Sequence, residues 1–389
     1  MFERLRRHRG SSRRTVDRDG REYTIRQYRD RDRNEVLALY RAVLESGLSE
    51  AWFEWKYESN PYVEDVPVYV AEHDGTVVGA GGFWVLELHT GSRSTRVVQP
   101  CDAAVRPAHR RRGLYTEILG RGLERFDDDG LDIAFDFPNE LSKATFEKYG
   151  WRPVERRETF FRLQRPGALL GDRFDGPAAS LAADGARLLA RGYLAAASRR
   201  RSAASDRLAI DVERTAGIPA ETLAALYRRA VPDAFHVVRD ETFYEWRFEN
   251  PQWTYTTYVG RYEGTPIAAI VTGTTVENGA VVTHLTDIVP LVADRSRTAA
   301  FGPLLEAVLE ASDDAALVVA PSTPIPRAIL SAYGFRSDHS LPLSLAATPT
   351  VHGVCTLSDG DDRDRWLVDG KRLPDPDAWR ITFSEYDTG

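Results

Sequence analysis

Three consecutive arginines and a glycine, Arg110-Arg111-Arg112-Gly113, stand directly before a run in which Leu114, Ile118, Leu119, Leu123 and Phe126 recur at helical spacing. A helix start exposes unpaired N–H groups and the positive end of the backbone dipole. Glycine lets a ligand come close to that backbone, and guanidinium groups add charge and paired donors. The chemistry this suggests is anion binding, with a diphosphate as the fitting guest. A solvated Arg-rich loop is the plainer alternative for the turn taken alone. Groups able to move a proton lie nearby in the sequence. Asp102 precedes the turn and Asp136 follows the helix, while Tyr115 and Tyr149 carry phenols that serve equally well as packing. Cys101 has no histidine near it at metal-ligand spacing and reads as a small buried residue.

These residues need a strand, a turn and a helix to hold them. Residues 101–106 are short and apolar with one acid, a strand that Pro107 ends because proline supplies no ladder donor. A helix follows from Leu114, and a second strand spans 131–135. Pro138-Asn139 then turns into a second amphipathic helix, residues 142–149, closed by Gly150. Upstream, the pattern predicts a strand over 23–28 and a helix over 32–44. A hairpin of 66–72 with 76–88 is expected about His73-Asp74-Gly75. Between them, residues 51–58 form an aromatic cluster suited to a core or a groove cap, and residues 160–163 are expected to close the sheet.

Val105-Arg106-Pro107 with Arg110-x-x-Gly113 resembles the V-x-P-x-x-R-x-x-G core of the GNAT acyltransferases. Asn139-x-x-Ser142-x-x-Thr145-Phe146-x-x-x-Gly150-Trp151 resembles that family's N-x-x-A-x-x-L-Y-x-x-x-G-F segment. The resemblance implies an α+β (mixed α/β) fold, a central mixed, mostly antiparallel sheet flanked by helices. It implies acetyl-CoA as co-substrate and no metal. The cofactor contacts it implies are Ala103, Ala104, Val105, Arg110, Arg111, Arg112, Gly113, Leu114, Tyr115, Thr116, Asn139, Ser142 and Phe146. Asn139 would meet the pantetheine arm, and the edge of 103–105 would pair with its amides and offer an N–H to the developing oxyanion. Two positions depart from the family pattern. Tyr115 replaces a small residue, and Phe146 stands where a tyrosine often serves as acid, which leaves Tyr115 and Tyr149 as candidate acids. Asp102 is the candidate base and Asp136 the second; for Asp102 a structural carboxylate bonded to an arginine is the alternative. The activity implied is acetylation of a small-molecule or peptide amine. A Fem-type aminoacyl transferase and a non-catalytic CoA-binding protein are the alternatives that keep the fold.

With 389 residues the chain exceeds one ordinary core. Its second half echoes the first. Tyr244-Glu245-Trp246-Arg247-Phe248-Glu249 parallels Phe53-Glu54-Trp55-Lys56-Tyr57-Glu58, and Tyr333-Gly334-Phe335 parallels Tyr149-Gly150-Trp151. The expected division is a basic flexible tail (1–20), a first GNAT domain holding the cofactor (21–164) and a helical linker (165–207). A degenerate GNAT-like domain (208–347) and an extension (348–389) follow, the latter with edge strands near 366–368 and 379–383. The layout resembles tandem GNAT proteins, including the enhanced-intracellular-survival type. The second copy has neither R-x-x-G nor the asparagine and is expected to shape the acceptor pocket or support the first. A net charge of −7 argues against a nucleic-acid partner. Two cysteines cannot build a disulfide framework, and no apolar run has membrane length. A cytoplasmic protein without membrane partner is expected; oligomeric state is not legible.

Overall fold

The computed structural model describes residues 13–44, 48–138, 140–165, 209–292, 294–341, 343–345, 350–357 and 365–387; residues 1–12 and all but Arg165 of the expected linker lie outside them. The first half gives β1 Arg13–Arg18, β2 Arg21–Gln27, α1 Arg33–Val43 and α2 Glu50–Phe53, which continues as a π-helical turn to Glu58. It goes on with β3 Val68–His73, β4 Thr76–His89, β5 Ser94–Val105, α3 Leu114–Asp128, β6 Ile133–Asp136, α4 Glu140–Lys148, β7 Arg152–Arg157 and β8 Thr159–Leu163. The second half gives β9 Ile210–Ala216, α5 Ala220–Arg228, β10 His236–Val237, α6 Glu241–Arg247, β11 Thr254–Tyr262, β12 Thr265–Glu277 and β13 Ala280–Val289. After these come α7 Arg295–Ala311, β14 Leu317–Pro321, α8 Arg327–Ala332, β15 Arg336–Ser337, β16 Thr350–Thr356 and a small hairpin, β17 Leu367–Val368 with β18 Lys371–Arg372.

Local chemistry accounts for most boundaries. Helix α2 begins where the Ser49 hydroxyl accepts from the Trp52 amide at 3.1 Å, and α6 where Asp240 accepts from Phe243 at 2.8 Å. The β3–β4 and β11–β12 hairpins turn at Asp74-Gly75 and Glu263-Gly264, where both central residues are left-handed. Helix α3 buries Leu114, Ile118, Leu119, Leu123 and Phe126 against the first sheet, the stripe its sequence spacing requires.

The strands form two mixed sheets. The order is β1-β2-β3-β4-β5-β6-β16-β7 in the first, with β10 on β4, and β9-β11-β12-β13-β14-β8-β15 in the second. Apart from β1 the two orders correspond position by position, and each has one parallel pair, β5 with β6 and β13 with β14. The strand beyond each parallel pair comes from the other half of the chain. Strand β8 does not close the first sheet as expected; it pairs with β14 because Phe160 is buried in the second core. Strand β16, a segment that carried no strand expectation, lies between β6 and β7, with Val354 and Cys355 buried. Two further expectations are corrected. Residues 13–18 are a strand paired with β2, not a flexible tail. Residues 379–383 form no edge strand, for Trp379 makes only an isolated bridge to Phe235.

The halves meet at Trp55 and Trp246. Their rings stack at 6.4 Å, and each indole donates to the other's main-chain carbonyl, at 2.7 and 2.8 Å. Such reciprocity is the mark of a local two-fold relation. Trp84 packs on the pair, and Trp52 is buried as well, so these aromatics are core rather than a groove cap.

Candidate active site

Strand β5 bulges at the acid that the sequence singled out. Cys101 pairs with Gly82 and Ala104 with Ala80, so Asp102 and Ala103 together face Gly81. Asp102 takes the left-handed conformation, φ 49°, and Ala103 is exposed. On its other side β5 meets β6 only at Val98 and Ala134, after which the parallel strands part. The edge of 103–105 that faces β6 therefore has no strand partner among the described residues. Next comes the turn. Arg111 and Gly113 are left-handed, at φ 60° and 72°, and Gly113 starts α3 with no side-chain cap. A Cβ at Gly113 would meet nothing within 4 Å. Backbone geometry, not crowding, asks for glycine here, and the approach to the first amides of α3 is clear. Arg110 folds back to the Val105 carbonyl at 2.9 Å and Arg112 to the Ala108 carbonyl at 3.0 Å, while Arg111 is exposed. His109 is bonded to the Tyr23 hydroxyl at 3.0 Å, and burial followed by His73 and three arginines lowers its pKa. The turn is pinned, cationic and open.

Asp102 does not stand alone. Its Oδ2 accepts from Lys56 Nζ at 2.7 Å and from the Tyr57 hydroxyl. Lys56, 1 % exposed, also donates to the Asp387 carbonyl at 3.0 Å and lies 3.6 Å from that residue's carboxylate. Burial disfavours the ammonium, but Asp102, Cys101 and Asp387 outweigh it and raise its pKa. The rings of Phe137 and Tyr386 lie 3.9 Å apart, which brings their neighbours Asp136 and Asp387 together. Burial and then Asp387 push the Asp136 carboxyl well above the usual carboxylate range. Burial raises Asp387 as well, against the pull of Lys56. Tyr115 reaches the same place: a Cβ on Gly81, opposite the bulge, would stand 3.5 Å from its ring. Burial, then Asp136, keeps its phenol protonated.

A family model described as an acetyltransferase (GNAT) domain matches residues 24–154. The chain carries a GNAT domain. The fold of the whole is similar to that of a GCN5-related N-acetyltransferase from Anabaena variabilis, with 10 % identity, 86 % of this chain and 73 % of that one covered, and a TM-score of 0.58. It is also similar to a GCN5-related N-acetyltransferase from Kribbella flavida, with 17 % identity, 85 % and 70 % covered, and a TM-score of 0.54. No curated protein matches the sequence.

Within the GNAT domain the residues expected from the sequence separate into two groups. Asp102, Ala103 and Tyr115 come together about Gly81, and Val105, the arginine turn and Gly113 lead from the end of β5 to the start of α3. Ala104 is buried and ladder-paired, and Leu114 belongs to the core. Tyr149 is elsewhere: its hydroxyl donates to the Thr116 carbonyl at 2.7 Å, and the charges that reach it are Glu117, Glu124 and Arg14. Phe146 is buried against Trp151 at 4.7 Å. Asn139 lies outside the described residues, as does the side chain of Ser142. Sequence reasoning missed Lys56, Tyr57 and Asp387. One signal was there, since Lys56 is one of four lysines in an arginine-rich chain. Among the described residues no three His, Cys, Asp or Glu side chains are grouped to hold a metal.

The corresponding corner of the second sheet is filled by protein. Asp287, on β13, is wholly buried and accepts from Arg239 at 3.1 Å, Tyr244 at 2.8 Å and Thr382 at 3.0 Å. Helix α7 is capped by Asp294, whose carboxylate accepts from the Arg297 amide at 2.8 Å. A carboxylate of the chain thus caps α7, where the start of α3 has no side-chain cap.

Proposed function

We propose that the chain is an acyl-CoA-dependent N-acyltransferase, with acetyl-CoA as donor at the GNAT domain and a small-molecule or peptide amine as acceptor. The thioester supplies the activated acyl group. The observation that carries this reading is the open, uncapped start of α3 at Gly113 lying one turn beyond a bulged strand that bears Asp102. The amides of 113–116 and the arginines suit a diphosphate, and the parted edge of β5 suits an amide-containing arm. The Ala103 amide, at the bulge, suits the charge that develops on a carbonyl oxygen.

An amine must lose a proton to attack. Asp102, whose Oδ2 already accepts from Lys56 and Tyr57, positions these two rather than serving as a free base. Burial holds the carboxyls of the Asp136–Asp387 pair above the usual carboxylate range, so the proton goes there, directly or through water. Tyr115, protonated and without a hydrogen-bond partner among the described residues, returns a proton to the departing thiolate. Three acids against one lysine favour an acceptor that arrives as an ammonium ion.

The test is release of free thiol from acetyl-CoA in the presence of a panel of amines. Turnover with at least one cationic amine is expected, and Asp387→Asn is expected to lower kcat about 100-fold with KM for acetyl-CoA unchanged. Binding of acetyl-CoA without transfer to any amine would favour the non-catalytic alternative.

A further inference from the structure

We infer, on the basis of the transfer reading above, that the second half of the chain acts on the GNAT site through the tail, with Arg239 and Arg247 as positioning residues that fix residues 382–387 so that Asp387 meets Lys56. Beyond Arg380, whose amide donates to the Phe235 carbonyl at 2.9 Å, the tail has no strand partner among the described residues, and side chains hold it instead. Arg239, 0 % exposed, shares its donors among Glu385 at 2.7 Å, Ser384 at 3.0 Å and Thr382 at 3.1 Å. Arg247, equally buried, takes the Ser384 carbonyl at 2.8 Å and the Tyr386 carbonyl at 3.1 Å. The carbonyl between them, that of Glu385, accepts from Gln99 of β5 at 2.7 Å. Three successive carbonyls are held before the chain reaches Lys56, which takes the fourth at 3.0 Å.

A buried ion cluster adds less to net stability than its contacts suggest, and its best use is to select one arrangement over others. Here the arrangement chosen sets where one carboxylate stands among Lys56, Asp102, Asp136, Tyr115 and Cys101, the titratable groups that face it. A displacement of about 1 Å at a reacting group is enough to slow catalysis strongly. Asp287, on the strand β13 that corresponds to β5 in sheet order, fits this account, since it anchors Arg239 and Thr382.

The test compares the wild-type full chain with Arg239→Gln, Arg239→Lys and Thr382→Val. Amide exchange at residues 384–387 is expected to rise about tenfold in Arg239→Gln and less in Thr382→Val, with α3 unchanged. The acidic limb of the kcat–pH profile is expected to move toward that of Asp387→Asn, with KM for acetyl-CoA constant and partial recovery in Arg239→Lys. Should Arg239→Gln fail to fold, Thr382→Val and Arg239→Lys carry both readouts. A fall in kcat with the pH profile unmoved, or tail amides no more labile than before, would overturn the inference. Absence of transfer to every amine would overturn the acyltransferase reading alone, since the exchange measurement judges the clamp without any turnover.

Discussion

Lys56 reaches Asp102 because of what β4 lacks. At Gly82 a Cβ would collide with the Tyr57 hydroxyl, the group that shares Asp102 with the lysine. Gly82→Ala is therefore expected to push Tyr57 off its acceptor, at a cost of about 1–3 kcal/mol in stability. It should lower kcat without changing KM for acetyl-CoA, since the arginine turn proposed for the cofactor is separate. Denaturant unfolding together with steady-state kinetics checks this, and an unchanged kcat would show that the Tyr57–Asp102 bond has no part in turnover. At this scale half of the site was legible. Arg110 to Gly113 and Asp102 announce themselves because charge, glycine and strand-to-helix spacing are local signals. Lys56 and Asp387 carry no such local signal, as each lies far along the chain from Asp102, the acid they surround. The aromatic run about Lys56 reads as packing, which most of it is.

Elements formed by local rules, such as α3, the β3–β4 hairpin and β6, were legible to within a few residues. The exchange of β8 and β16 was not. Residues 160–163 are short and mostly apolar, as a strand can be, but nothing in that composition says which of two similar sheets they will join. That choice belongs to Phe160 and its distant neighbours in the second core. Strand β16 also carries a testable oddity. His352 is 0 % exposed among Phe135, Phe137 and Trp379, and neither ring nitrogen has a hydrogen-bond partner among the described residues. Burial, then Arg157, holds its pKa well below the usual histidine value. The folded chain thus leaves unbound a proton that the unfolded chain takes up below pH about 6.5, and stability falls as pH drops through that point. His352→Phe is expected to stabilise by about 1 kcal/mol at pH 7 and by about 2 kcal/mol more at pH 5. Urea unfolding at the two pH values measures this; an equal gain at both would mean that the imidazole is not held neutral.

Across the molecule, two sheets of matching order meet at the reciprocal Trp55–Trp246 bonds, and the repeat in the sequence had already marked those two tryptophans as counterparts. The match in order ends at the chemistry. The GNAT domain leaves the start of α3 uncapped behind Gly113, while the second half closes α7 with Asp294 and seals Asp287 under the tail. The difference at the two helix starts goes with the missing glycine, whereas the tail's contacts were not legible, because its partners come from both halves. The account stands on a single acyl-CoA seat at the arginine turn. Calorimetric titration of the full chain with acetyl-CoA, on wild type and on Gly113→Glu, tests that directly. One binding event per chain is predicted, weakened at least ~100-fold, about 2.7 kcal/mol, by a side chain that puts bulk and negative charge where the diphosphate would rest. Unchanged affinity in Gly113→Glu, or a second equal site in the wild type, would contradict it.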